Sequence, residues 1–321
     1  MTGIVLAILV FLVVVAALGG AAALAFSAPR TPPPLASIQH AFDSVDFHDM
    51  PDLSDFAARD GTRLKYRAYR GDGGNIVVLV HGSSGTSASM HALARAVHAT
   101  GATVFALAMR GHDGNGRSGD IDYIGQLDDD LADFMKTLGE RRAGERRTLL
   151  GFSSGGGFVL RIAGGRDGPL FDRFILVSPQ LPPGSPTMRP DAGGWVGVSL
   201  PRFIVLSLLG RAGIHQFDFL PVLAFAVPPE MRNVQTAFYS YRMARNFGPT
   251  DDYLGDIRRA PAPVVLLAGS ADELFRTDRY GPTLKPARPD LSITLVSGMG
   301  HMDMTVKPPA LDAIVKAVRG R

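Results

Sequence analysis

The chain opens on an apolar run, Gly3 to Ala28, that no charged residue interrupts, and roughly 20 apolar residues suffice to cross a bilayer. None of its faces is polar, which does not fit the core helix of a soluble domain. We read residues 1–28 as a single N-terminal membrane anchor. The rival is a secretory signal with Ala25-Phe26-Ser27 as its cleavage site, which would leave a secreted or periplasmic protein. The long apolar core and the lack of a preceding Lys or Arg favour the anchor. Only the α-amine and Arg30 flank the run, so the side on which the rest of the chain lies stays open. Arg30-Thr-Pro-Pro-Pro-Leu35 then makes an extended, stiff spacer within a linker over 29–54.

Beyond the linker the periodicity changes twice. Leu64, Tyr66 and Ala68 alternate with basic residues, as in a half-exposed edge strand. Short apolar runs follow at 76–80, 104–108, 148–150, 174–177, 264–267 and 293–296, the pattern of strands buried on both faces. Helical patterns at 88–100, 124–138 and 310–318 lie between or after them. Such alternation predicts an α/β domain over 55–321, with a mostly parallel sheet covered by helices. Between Leu181 and Ala260 the alternation stops for far longer than an ordinary loop. The runs Phe203–Leu209 and Phe217–Pro228 there are apolar, but Arg202, Arg211, His215 and Asp218 break them below spanning length. A helical cap inserted over about 181–260 fits that composition.

Composition narrows the function. The chain is 46% hydrophobic and 20% charged, with a net charge of +3, and its basic residues are scattered without interleaved aromatics. This argues against nucleic acid as a partner. There is no cysteine, which excludes a cysteine nucleophile, a thiolate metal site and disulfides. Nothing calls for a metal or a cofactor, and oligomeric state is not legible.

The candidate chemistry begins at Gly151-Phe-Ser153-Ser-Gly155, directly after the apolar run 148–150 and before a helical stretch. A GxSxG in strand–turn–helix context is a nucleophile elbow, where Gly151 and Gly155 leave room for the tight turn. Ser154 as the nucleophile would put Phe152 where close packing wants glycine. A serine hydroxyl needs a base oriented by a carboxylate, in the order Ser, acid, His. Asp272 follows the run 264–267 and His301 follows the run 293–296, both at the strand ends where parallel sheets carry their sites. An aspartate after a strand is also ordinary turn chemistry, and Glu273 competes directly. His40, His48, His91 and His98 read as surface or core-edge residues. Only His301 lies past the last strand. After the run 76–80 come His81-Gly82-Ser83-Ser84-Gly85. Backbone N–H groups of Ser83 and Ser154 are the candidate oxyanion donors. A phosphate-cradling loop is the other reading of Gly82–Gly85, without the lysine of a P-loop.

At these residues the chain resembles the α/β-hydrolase superfamily, and within it the monoglyceride lipase, lysophospholipase and serine aminopeptidase branch. The resemblance runs from about Asp60 to the C-terminus. It rests on His81-Gly82, Arg110-Gly111-His112, Gly151–Gly156, Gly269-Ser-Ala-Asp272 and Gly298-Met-Gly-His301. It implies an eight-stranded sheet, a cap after the sixth strand and cofactor-free hydrolysis of esters or amides. Phe152, where that branch commonly has His, and Asp113-Gly-Asn-Gly116 after the Arg-Gly-His segment depart from the pattern and leave the substrate subclass open. The expectation is a serine hydrolase of a lipid-like or apolar ester, with a small-molecule substrate and a membrane reached through the N-terminal helix. Peptidase, thioesterase and acyltransferase activities would use the same residues. A non-catalytic, membrane-anchored binding protein on this fold is the rival from another class.

Overall fold

The computed structural model describes residues 2–320. In chain order its strands are β1 (Leu53–Ala57), β2 (Arg63–Tyr69), β3 (Asn75–Val80), β4 (Thr103–Leu107), β5 (Arg146–Phe152), β6 (Arg173–Val177), β7 (Val196–Val198), β8 (Pro221–Phe225), β9 (Phe238–Ser240), β10 (Val264–Gly269) and β11 (Ser292–Val296). Eight of them form one sheet in the order β1-β2-β4-β3-β5-β6-β10-β11. The β1–β2 and β2–β4 pairs are antiparallel, and every pair from β4 to β11 is parallel.

The apolar runs are continuous because both faces of the sheet are covered. Val78, Val80, Leu149, Phe174 and Leu176 point into one core with the helices Gln126–Thr137 and Ser154–Gly164. Val77, Leu79, Leu150, Ile175 and Val177 point into the other with the helices His91–His98 and Pro308–Arg319. The side-chain period of two thus divides each strand between two apolar layers. The last helix starts on Pro308 and stops at Gly320, whose φ of 76° is the left-handed conformation that ends helices.

Two sequence expectations change in detail. Arg63–Tyr69 is not the edge, because β1 pairs outside it. With only Phe56 buried among its five residues, β1 is too polar to announce itself within an acidic stretch. Between β6 and β10 lies the expected cap, with the helix Leu200–Arg211 over the run 203–209. The run 217–228, however, holds β8, the centre of a three-stranded antiparallel sheet with β7 and β9. Its partners are three residues long, too short to show a period.

The N-terminal helix spans Thr2–Phe26, with a mean hydropathy of 3.0 over its most apolar window and none of that window buried. By length and apolarity it is a candidate membrane span. Its C-terminal end is held by the cap: the Arg202 guanidinium donates to the Leu24 carbonyl at 2.7 Å, and the Ser199 hydroxyl donates to the Ser27 carbonyl.

Candidate active site

Ser153 stands between β5 and the helix Ser154–Gly164, with φ 54° and ψ −119°. A non-glycine residue in that region is strained, and the surrounding hydrogen bonds hold it there. Its N–H donates to Val177 at 2.9 Å, and its carbonyl accepts from Gly157 at 3.0 Å and Gln180 at 2.9 Å. The two glycines of the motif are close-approach sites. A Cβ at Gly151 would fall 2.1 Å from the Gly155 carbonyl oxygen, and one at Gly155 would fall 2.3 Å from that of His81.

Asp272 leaves the end of β10, and His301 lies in the turn after β11. Their side chains are buried and joined, His301 Nδ1 to Asp272 Oδ2 at 2.8 Å. The other carboxylate oxygen, Oδ1, accepts the N–H groups of Leu274 and Phe275, both at 2.9 Å. Burial alone would raise this carboxyl's pKa. The His301 ring and the two N–H donors outweigh it and hold the value below the ordinary 3.8, so Asp272 stays ionised. Such a partner fixes the proton on Nδ1 and leaves Nε2, which has no partner among the described residues, to act as the acceptor. Phe152 and Phe275 flank the imidazole, with ring centroids 4.7 and 5.0 Å away. Glu273 does not compete for this place, since its Oε2 accepts the backbone N–H of His301 at 2.9 Å.

Ser153 and His301 line one cavity with Ser83, Trp195, Leu274 and Met302. Gly82 lies against Ser153: a Cβ there would come within 3.1 Å of the serine Cβ. The N–H groups of Ser83 and Ser154 donate to no other group among the described residues. Ser84 N–H, by contrast, is taken by the Tyr239 hydroxyl at 2.9 Å.

His81 and His112 are supports rather than bases. His81 Nδ1 donates to the Gly82 carbonyl at 2.8 Å, and its Nε2 accepts from Met109 N–H at 3.3 Å. His112 Nε2 accepts from the Tyr239 hydroxyl at 2.6 Å. A relay therefore runs from Ser84 N–H through Tyr239 of the cap to His112, fixing the loop beside the serine. Burial keeps both imidazoles neutral by lowering their pKa values, and the proximity of His81 depresses His112 further. Arg110 of the Arg-Gly-His segment makes a bidentate pair with Asp130, both bonds 2.8 Å.

The structure brings Ser153, Asp272 and His301 together at the sheet ends and adds to them residues of the cap and linker that no sequence motif marks. Trp195, the single tryptophan, donates from Nε1 to the Ser83 hydroxyl at 3.0 Å. Ile38 and Phe42 of the linker also line the cavity. Among the described residues no group of three or more His, Asp and Glu side chains is placed to hold a metal ion. Two larger depressions, of about 660 and 760 Å³, are open and contain neither Ser153 nor His301.

A sheet of this order, interrupted by a cap after its sixth strand and carrying an elbow serine at the end of its fifth, defines the α/β-hydrolase fold. The family model of the S33 serine aminopeptidases matches residues 73–305, and the chain belongs to that family of α/β-hydrolases. Among solved structures, a soluble variant of monoglyceride lipase from Saccharomyces cerevisiae, in complex with a substrate analogue, is 18% identical. The likeness covers 86% of this chain and 96% of that one, with a TM-score of 0.66. Monoacylglycerol lipase from Paleococcus ferrophilus is 21% identical over 80% of this chain and 98% of its own, with a TM-score of 0.61. A carboxylesterase from Bacillus subtilis is 15% identical over 88% and 97%, with a TM-score of 0.59. No curated protein matches the chain significantly. At such identities the likeness is one of fold.

Proposed function

We propose that the protein hydrolyses carboxylic esters with an apolar acyl group through an acyl-enzyme on Ser153. The observation that carries this reading is the buried 2.8 Å bond from His301 Nδ1 to Asp272, in a cavity shared with the strained Ser153. His301 Nε2 takes the Ser153 proton as Oγ attacks the carbonyl carbon, and the N–H groups of Ser83 and Ser154 hold the resulting oxyanion. Asp272 stabilises the imidazolium. His301 then gives the proton to the leaving alkoxide, which departs as the alcohol. Water attacks the acyl-enzyme, passes a proton to Nε2, and the collapse returns that proton to Ser153 Oγ and frees the acid.

The cavity favours an ester over a peptide N-terminus. An aminopeptidase needs an anion to hold the substrate's α-ammonium, and no Asp or Glu lines this cavity among the described residues. Ile38, Phe42, Phe152, Trp195, Leu274 and Met302 give it an apolar wall suited to an acyl chain. The N-terminal helix, read as a membrane anchor, would keep the enzyme near such substrates. The lipase and carboxylesterase neighbours agree with this reading at the level of fold. The test is turnover of monoacylglycerols and p-nitrophenyl esters against amino-acid anilides. Ester cleavage without anilide cleavage is expected, and the reverse preference would overturn the ester assignment.

A further inference from the structure

The segment joining the N-terminal helix to the hydrolase domain is fastened at both ends, and between the fastenings two of its residues line the cavity of Ser153 and His301. At its start the Ser27 carbonyl accepts from the Ser199 hydroxyl of the cap. The backbone at Arg30 runs so close to Gly197 that a Cβ there would lie 2.0 Å from the Arg30 carbonyl oxygen. At its end Phe47 stacks on His91, with centroids 5.5 Å apart; the Asp46 carbonyl meets His91 Nε2 at 3.0 Å, and Asp49 pairs with Arg95 at 3.1 Å. Between these fastenings lie a short helix, Ala36–Gln39, and the turn after it. Leu35, Ile38 and Phe42 follow one another at helical spacing, and all three are half-buried while their neighbours Ala36, Ser37, Gln39 and His40 are exposed. Leu35 and Ile38 pack on the main core, and Ile38 and Phe42 face the cavity of Ser153 and His301.

The cavity that they help to line offers about 60 Å³, room for only a few waters. A short acyl group fits such a volume, whereas a long chain has to displace whatever stops its path.

We propose that Ile38 and Phe42 are specificity-determining residues of the ester-hydrolase site, forming the strap that limits how long an acyl chain the cavity accepts. The inference rests on the reading of that cavity as the active site. Neither residue touches the reacting atoms; they act on the chain beyond the carbonyl. Shortening them lengthens the acyl path and leaves the elbow, the imidazole and the oxyanion loop in place.

The test compares full-length wild type in detergent with the double variant Ile38→Ala, Phe42→Ala and with the outward-facing control Gln39→Ala. The substrates are p-nitrophenyl esters from acetate to palmitate. In the double variant, kcat/KM for the long esters rises by about tenfold or more relative to wild type, while that for acetate stays within about twofold, in keeping with a pocket contact worth a factor of ten to a few hundred. The acetate rate also shows that the variant is folded. Gln39→Ala keeps the wild-type profile. Equal changes at every length, or no change, would overturn the role of the strap while leaving the hydrolase reading intact. If wild type cleaves no ester and Ser153 resists a fluorophosphonate, the hydrolase reading fails, and this inference with it.

Discussion

Asp272 and Glu273 are adjacent carboxylates with different partners. Asp272 receives the imidazole Nδ1–H of His301, while Glu273 receives that residue's backbone N–H. Only the first can set the tautomer and meet the charge that develops on the ring. Asp272→Asn is therefore expected to lower kcat by about 10³–10⁴-fold with little change in the folded structure, because an amide in that position no longer enforces the tautomer. Glu273→Gln keeps an acceptor for the backbone N–H, and its effect should stay below about tenfold, the scale of one neutral hydrogen bond. Steady-state kinetics on both variants, with circular dichroism as the check on folding, decides between them. Equal losses would mean that the carboxylates share the task. From the sequence, Asp272 was legible only through its place after a strand and its order relative to Ser153 and His301. Its separation from Glu273 comes from side-chain direction, which no spacing rule supplies.

At the scale of elements, the elbow is the part most fully legible in advance, because steric need and sequence coincide there. Gly155 permits the helix to start against β3, and a methyl group would meet the His81 carbonyl oxygen at 2.3 Å and that of Val80 at 2.6 Å. Both are backbone atoms of a buried strand end and cannot move aside. Gly155→Ala should cost about 1–3 kcal/mol, as overpacking does, and should reduce activity in whatever fraction stays folded. Gly281→Ala, where nothing lies within 4 Å of the added carbon, should be neutral or slightly stabilising. Thermal melts of the two variants measure the contrast, and similar melting temperatures would contradict the packing argument. The main-sheet strands were equally plain as apolar runs, since burial on both faces removes the polar alternation. The small sheet inside the cap was not, because β7 and β9 are too short to carry a period. The prolines of the linker predict a stiff spacer and no more. Its half-buried positions, Leu35, Ile38 and Phe42, acquire meaning only when the fold brings the cap beside them.

At the scale of the whole molecule, buried polar groups tie the sheet to the cap, and they give the fold a pH dependence of definite sign. His81 and His112 are neutral in the folded protein, with pKa values below the ordinary 6.5, chiefly because they are desolvated. The unfolded chain binds protons at these imidazoles as pH falls through 6.5, while the folded chain does not, so unfolding gains free energy. Their contribution is fully present above pH 6.5 and is lost as pH drops below it, by at most about 1.4 kcal/mol per unit for each group. Melting temperature should decline from pH 6.5 towards about pH 5. His112→Gln should be less stable at neutral pH and show a shallower decline; an unchanged slope would assign the acid sensitivity to other groups. The N-terminal apolar helix is joined to the S33-family α/β-hydrolase domain by a linker whose Ile38 and Phe42 line the cavity of Ser153 and His301.

The proposed ester hydrolysis depends above all on Ser153 being an activated nucleophile. The most direct measurement is the intact mass of the protein after exposure to a fluorophosphonate probe, for wild type and for Ser153→Ala. Wild type should gain one probe adduct, lost together with ester turnover in the variant, as expected when the nucleophile of a cooperating set is removed. A folded wild type that gains no adduct, or a Ser153→Ala variant that still gains one, would contradict the account.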